Sequence, residues 1–247
     1  MLKFPRAILK AGLFGLFAAG SAFGQAATAP GLSSTEPVPR EGSWMKLHES
    51  FLERAKKPID LLFLGDSITQ GWGGKDKDGK GPAEVWERYY APRNAANFGI
   101  GGDRTQHVLW RLDNGEVDGI SPKVAVLMIG TNNAGTNSAE EIAEGVTAIV
   151  KKLQDKLPST KILLLGVFPR SQNPDKVRAK LDEVNATIKK LDDGKTVHYL
   201  DIGPAFLEED KSISKEIMPD FLHLSRKGYR IWADAIEPTL SKLLGEN

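Results

Sequence analysis

The chain has no cysteine among its 247 residues. That excludes a disulfide framework, a thiolate metal site and a cysteine nucleophile. Histidine is scarce, with His48, His107, His198 and His223 as the complete set, so a polyhistidine metal cage is not expected. Neither sign of charge is in surplus: 33 Lys and Arg against 32 Asp and Glu give a net charge of +1, too balanced for a general nucleic-acid binder. A hydrophobic fraction of 40% is enough for a packed core and excludes a disordered or collagen-like chain.

Long apolar runs are also missing. The most apolar segment, near the N-terminus, ends near Phe23 and falls short of the roughly 20 residues of a membrane span. Lys3, Arg6 and Lys10 precede it, and Ala22-Phe23-Gly24 places small residues as a signal peptidase requires. Residues 1–24 therefore read as a signal peptide with Gln25 as the first mature residue, which implies a periplasmic or extracellular location and no membrane span after cleavage. Removing that segment takes away three bases and no acids, leaving 30 bases against 32 acids. Residues 25–42 are rich in Ala, Thr, Ser and Pro and read as a flexible linker. Residues 43–247 read as one domain.

Within that domain, short apolar runs alternate with amphipathic stretches. Strands are expected at Ile59–Leu64, Ala95–Phe98, Lys123–Ile129, Lys161–Val167 and Thr196–Leu200. Helices are expected at Trp44–Lys56, Ala83–Tyr90, Arg104–Leu112, from a Ser138/Glu141 capping box to Leu157, at Asp175–Leu191, and from a Ser225 cap to Leu244. The alternation predicts an α/β fold: a three-layer α/β/α sandwich around a five-stranded parallel sheet.

In such sheets, ligands bind beyond the carboxyl ends of the strands. Three of those ends carry polar clusters: Gly65-Asp66-Ser67, Gly99-Ile100-Gly101-Gly102-Asp103 and Gly130-Thr131-Asn132-Asn133. A fourth cluster, Asp220-Phe221-Leu222-His223, precedes the final helix. Ser after a strand is commonly a helix cap. As a nucleophile it needs a base, which an imidazole with an ordinary pKa near 6.5 supplies. His223 is the candidate, with Asp220 three residues before it to fix its tautomer. His107 has no carboxylate placed to orient it, and His198 and His48 read as structural. The backbone N–H groups of Ser67 and Gly102 and the amide of Asn132 are candidate donors to an oxyanion, although a turn explains Gly102 and an Asx-turn explains Asn132 when each is taken singly.

The order Ser, Gly, Asn, Asp, His resembles the four blocks of the SGNH, or GDSL-type, hydrolase superfamily over nearly all of residues 55–245. The stretch Asn97–Leu112, with Gly130–Asn133 and Asp220–Leu224, is similar to the catalytic subunits of brain-type platelet-activating-factor acetylhydrolase. The resemblance implies a flavodoxin-like SGNH fold, Ser67 as nucleophile, His223 as base, Asp220 as its orienter, and an oxyanion hole of Ser67, Gly102 and Asn132. It also implies that Ile68, Thr131 and Leu222 wall a small acyl pocket and that no cofactor or metal is needed; the nearest family members form dimers, and the oligomeric state, a homodimer included, stays open. Two features depart from the pattern: Asn133 stands where many members have Asp, and a signal peptide is foreign to the intracellular brain enzyme.

The implied activity is a secreted serine esterase removing acetyl or similarly short groups, most readily from a carbohydrate or glycan. Platelet-activating-factor-like lipids, acyl transfer to a sugar, and non-catalytic glycan binding are the alternatives. Trp72 is placed either to stack on a sugar face or to anchor its loop by packing. An α/β-hydrolase elbow is excluded because position 69 is Thr, and a dinucleotide fingerprint because position 104 is Arg. No Lys follows the glycines as a phosphate loop requires.

Overall fold

The computed structural model describes Met1, residues 33–76 and residues 81–246. The expected signal peptide beyond Met1, the first part of the linker, residues 77–80 and residue 247 lie outside the described residues.

Five strands, β1 (Leu61–Gly65), β2 (Ala95–Gly99), β3 (Val124–Met128), β4 (Lys161–Leu165) and β5 (Val197–Leu200), form one parallel sheet in the order β2-β1-β3-β4-β5. Every residue of β1 and β3 is buried, as expected for strands covered on both faces. Leu62, Leu64, Ala125 and Leu127 face the layer formed by α4 (Thr105–Asp113), α5 (Ala139–Lys156) and α6 (Lys176–Ile188). Leu61, Phe63, Val124 and Val126 face α3 (Pro82–Tyr89) and α7 (Arg226–Leu244). This alternation makes the three layers that the sequence predicts.

Helix ends follow their caps. Ser138 and Glu141 form the expected reciprocal capping box, and the Ser225 side chain accepts from the Gly228 N–H. Each such cap is worth about 1 kcal/mol. The expected long helix at Asp175–Leu191 is shorter: α6 ends at Ile188 and a 3₁₀ turn continues to Leu191. Among the described residues, no helix is long and apolar enough to cross a membrane.

The linker reading needs correction. Residues 33–42 lie against the fold because their polar atoms find partners there. Thr105 donates its hydroxyl to the Ser34 carbonyl at 2.7 Å, the Val38 N–H donates to the Gln106 carbonyl at 3.2 Å, and Arg40 donates to the Gly101 carbonyl at 2.8 Å. Helix α1 (Ser43–Ala55) follows directly and buries Trp44 and His48.

From β1 the chain winds outward to β2, then returns across β1 to β3. The direction reverses between β1 and β3, so the crevice at their carboxyl ends is the topological switch point at which this class of fold binds ligands.

Candidate active site

Strand β1 delivers Ser67 to that crevice through a turn with no spare volume. A Cβ on Gly65 would come within 2.4 Å of the Met128 carbonyl, which explains glycine there. Asp66 then caps the one-turn helix α2 (Ser67–Gln70), its Oδ1 accepting the Ile68 N–H at 2.9 Å. Asp66 is fully buried, and its Oδ2 has no hydrogen-bond partner. Burial pushes its pKa up to about 7, opposed by the Ile68 N–H and assisted by the Asp103 charge.

Ser67 Oγ lies 2.9 Å from His223 Nε2, although 156 positions separate the two residues. His223 Nδ1 lies 2.7 Å from Asp220 Oδ2. Asp220 Oδ1 accepts the backbone N–H groups of His223 at 2.7 Å and Leu222 at 3.1 Å. Partial burial of Asp220 opposes its ionisation, but these hydrogen bonds prevail and hold its carboxyl below the usual carboxylate range. The tight loop depends on Phe221, which adopts a left-handed φ of 60°. Such a φ is uncommon outside glycine, and nothing in the sequence signals it.

The glycine loop after β2 approaches from the other side. Gly102 has a φ of +77°, which explains glycine at that position. A Cβ on Gly101 would lie 3.7 Å from the Cβ of Ser67, so the loop and the serine are neighbours. Asn132, in the 3₁₀ turn Thr131–Asn133 after β3, donates one amide hydrogen to the Asp103 carbonyl at 2.9 Å. That bond orients the amide and leaves its second hydrogen available. The sequence-predicted Ser67, Asp220 and His223 are thus joined by hydrogen bonds, and the loops bearing Gly102 and Asn132 are tied to each other at the same sheet edge.

Asn133 is fully buried. Its Oδ1 accepts the Thr105 N–H, and its Nδ2 meets Thr105 Oγ1, Gln106 Oε1 and Asn137 Oδ1 at 3.1–3.2 Å. These oxygens are matched by an amide, which accounts for Asn at this position.

Below the glycine loop lies a buried charge network that the sequence reading did not contain. Asp103 accepts from Trp44 Nε1 at 2.6 Å and pairs with Arg40 at 3.2 Å and Arg111 at 3.1 Å. Arg111 also meets Glu116, whose other oxygen lies 3.0 Å from His48 Nδ1. Through its bonds to the carbonyls of Phe98 and Gly65, Arg111 joins the ends of β2 and β1. Arg and carboxylate residues are common in any sequence, and only the fold selects these.

His107 differs from expectation in one respect: a carboxylate does stand near it, with Asp103 Oδ1 3.8 Å from its Nδ1. That nitrogen instead accepts the Arg104 N–H and caps α4, and burial lowers the pKa of the ring to about 4. His198 lies in β5 and contacts the Lys195 carbonyl. Trp72 is wholly buried against Tyr229, Trp232 and Tyr90, at ring-centroid distances of 4.6, 4.9 and 5.1 Å. It is a packed anchor, and the sugar-stacking reading is withdrawn.

Ile68 is 1% exposed and shares an apolar cluster with the partly buried Leu222, while Thr131 is buried in the adjoining turn. Among the described residues, no group of three or more His, Asp or Glu is arranged to hold a metal ion.

The GDSL-like lipase/acylhydrolase family matches residues 63–231, a span that includes Ser67, Gly102, Asn132, Asp220 and His223. The chain belongs to that family. It is a carboxylic ester hydrolase by that membership and by its likeness to characterised members. It is 39% identical to human platelet-activating factor acetylhydrolase IB subunit alpha1 over 214 residues, covering 86% of this chain and 89% of the relative. Two solved structures share the fold. A GDSL-like lipase from Bacteroides thetaiotaomicron superposes with a TM-score of 0.63 at 18% identity, covering 79% of this chain and 97% of its own. An acetylxylan esterase from Geobacillus stearothermophilus, solved as a catalytic mutant, gives 0.57 at 20% identity, covering 78% and 97%.

Proposed function

We propose that the protein is a serine esterase that removes acetyl or similarly short acyl groups from an O-acetylated carbohydrate. The observation that carries this reading is the continuous relay from Ser67 Oγ to His223 Nε2 and from His223 Nδ1 to Asp220 Oδ2, at 2.9 and 2.7 Å.

In the first step, Ser67 Oγ attacks the ester carbonyl while its proton passes to His223 Nε2. Asp220 keeps Nδ1 protonated and stabilises the imidazolium. The N–H groups of Ser67 and Gly102 and the free amide hydrogen of Asn132 receive the oxyanion; each such donor is worth roughly 10²–10³ in rate. Collapse of the tetrahedral intermediate returns the proton from Nε2 to the departing alcohol and leaves Ser67 acylated. Water then attacks the acyl carbon while His223 takes its proton, and collapse of this second tetrahedral intermediate returns that proton to Ser67 Oγ and releases the acid. Ile68, Thr131 and Leu222 wall the acyl side, and the bulk of Ile68 and Leu222 favours acetyl.

The carbohydrate assignment draws on the acetylxylan esterase that shares the fold and on the basic, apolar leader at residues 1–24, which sends the protein out of the cytoplasm. A second reading, an acetyl ester of a platelet-activating-factor-like lipid, is favoured by the 39% identity to the acetylhydrolase subunit. Turnover of 4-nitrophenyl acetate by the purified protein, and its loss in Ser67→Ala, tests the chemistry. Acetate release from acetylated xylo-oligosaccharides against a 2-acetyl phospholipid separates the two alcohols. Full activity of Ser67→Ala would end the assignment of the nucleophile.

A further inference from the structure

Two residues other than glycine with left-handed backbone meet beside the candidate site. Ser171, with φ of 71°, donates its N–H to the carbonyl of Phe221, with φ of 60°, at 2.9 Å. Backbone held in sparsely populated regions costs about 1–3 kcal/mol per residue and persists only where the surroundings impose it. Here the surroundings do so. Arg178, only 5% exposed, donates Nε to the Arg170 carbonyl at 3.1 Å, Nη2 to the Ser171 carbonyl at 2.5 Å and Nη1 to the Lys211 carbonyl at 2.5 Å. A buried guanidinium is thus committed to holding the turn that carries Arg170.

Arg170 itself is half-buried and projects to the turn that bears Asn132. Its Nη1 reaches the Thr131 carbonyl at 3.4 Å and the Thr131 hydroxyl at 3.3 Å. Both bonds are long, and both acceptors are neutral. Among the described residues, no carboxylate stands within ion-pair distance of Arg170, whereas Arg40 and Arg111 nearby are matched by Asp103 and Glu116. Among the described residues its Nε and Nη2 have no hydrogen-bond partner, and a guanidinium presents those donors in a fork that suits a carboxylate or phosphate.

We infer that Arg170 is a specificity-determining residue that binds an anionic oxyacid group on the alcohol portion of the substrate. This rests on the esterase reading above and narrows it. An acetyl group has no atom to carry the charge, so the anion belongs to the alcohol. The backbone bond from Ser171 to Phe221 ties the turn that carries Arg170 to the loop whose His223 protonates that alcohol as it leaves. A uronate carboxylate and a glycerol phosphate share the required chemistry.

Two matched pairs separate these sources: acetylated methyl glucuronide against acetylated methyl glucoside, and 2-acetylglycerol 3-phosphate against 2-acetylglycerol. In at least one pair, wild-type kcat/KM should favour the anionic member by about tenfold or more, the effect of one hydrogen bond to a charged group. The preference should lie in KM, shrink as salt is raised, collapse in Arg170→Gln and return in part in Arg170→Lys. The pair that shows it identifies the source. Because each ratio is taken within one protein, a general loss of folded enzyme cancels. Calorimetric binding of methyl glucuronide against methyl glucoside, and of glycerol 3-phosphate against glycerol, reads the same subsite without turnover. Ratios near one in both pairs, or a ratio that Arg170→Gln leaves intact, overturn the inference. Wild-type turnover of 4-nitrophenyl acetate tests the underlying chemistry separately.

Discussion

Asp220 holds His223 at two points: its Oδ2 meets the ring Nδ1 at 2.7 Å, and its Oδ1 accepts the backbone N–H of the same residue at 2.7 Å. One carboxylate therefore sets both the tautomer of the imidazole and the path of the chain that presents it. The left-handed Phe221 between them makes this double contact possible.

Replacing Asp220 with Asn separates the two duties. The amide oxygen can still accept from the backbone, but its charge no longer stabilises the imidazolium and the wrong tautomer is favoured. The corresponding change in serine proteases lowers kcat by about 10⁴. Asp220→Asn is expected to lower kcat towards that limit with little change in KM, measured with 4-nitrophenyl acetate. A wild-type kcat would contradict this role.

Asp66 supplies a pH test of stability. Its folded pKa of about 7 lies above the ordinary 3.8, so between those values the folded state binds the extra proton. Stability contributed by the neutral carboxyl is complete below about pH 4 and is lost as pH rises towards 7. At about 1.4 kcal/mol per pKa unit, the loss is on the order of a few kcal/mol. Asn can cap the same N–H without titrating. Asp66→Asn should therefore gain on the wild type as pH rises from 5 to 8 in urea unfolding. A difference independent of pH would refute the assignment.

Trp72→Ala should act on stability, because the ring is wholly enclosed by aromatic side chains. A loss of about 3–5 kcal/mol is expected for such a truncation, read from denaturant unfolding. A selective rise in KM for a sugar ester without loss of stability would restore the stacking role.

Asn133→Asp would set carboxylate oxygens against Gln106 Oε1, Asn137 Oδ1 and Thr105 Oγ1, leaving acceptors facing acceptors. The expected cost is about 1–3 kcal/mol. Because Asn132 precedes it in the same turn, kcat should fall more than KM changes. Unfolding curves and steady-state kinetics check both parts, and an unchanged midpoint would contradict the amide account.

The sheet, its strand ends and the Ser67, Asp220 and His223 positions were legible because each leaves a local signature. The apolar runs of β1 and β3 lead into Gly65 and Gly130, and the polar Asp66 and Thr131 follow them. The strap at 33–42 was not legible, since Ser34 and Arg40 gain their meaning from Thr105, Gly101 and Asp103 far along the chain. The same holds for the network joining Asp103, Arg111, Glu116 and His48. Trp72 was ambiguous because its type and loop position suit both roles, and only its burial decides. Phe221 and Ser171 carry no local mark of a left-handed backbone, because tertiary hydrogen bonds impose it.

The central claim is that the hydroxyl of residue 67 is activated by residue 223. Its most direct test is peptide mass spectrometry after brief exposure to a fluorophosphonate. The account predicts one adduct, on Ser67, formed quickly in the wild type, much more slowly in His223→Ala and not at all in Ser67→Ala. An adduct on another residue, or equal labelling rates in the wild type and His223→Ala, would contradict it.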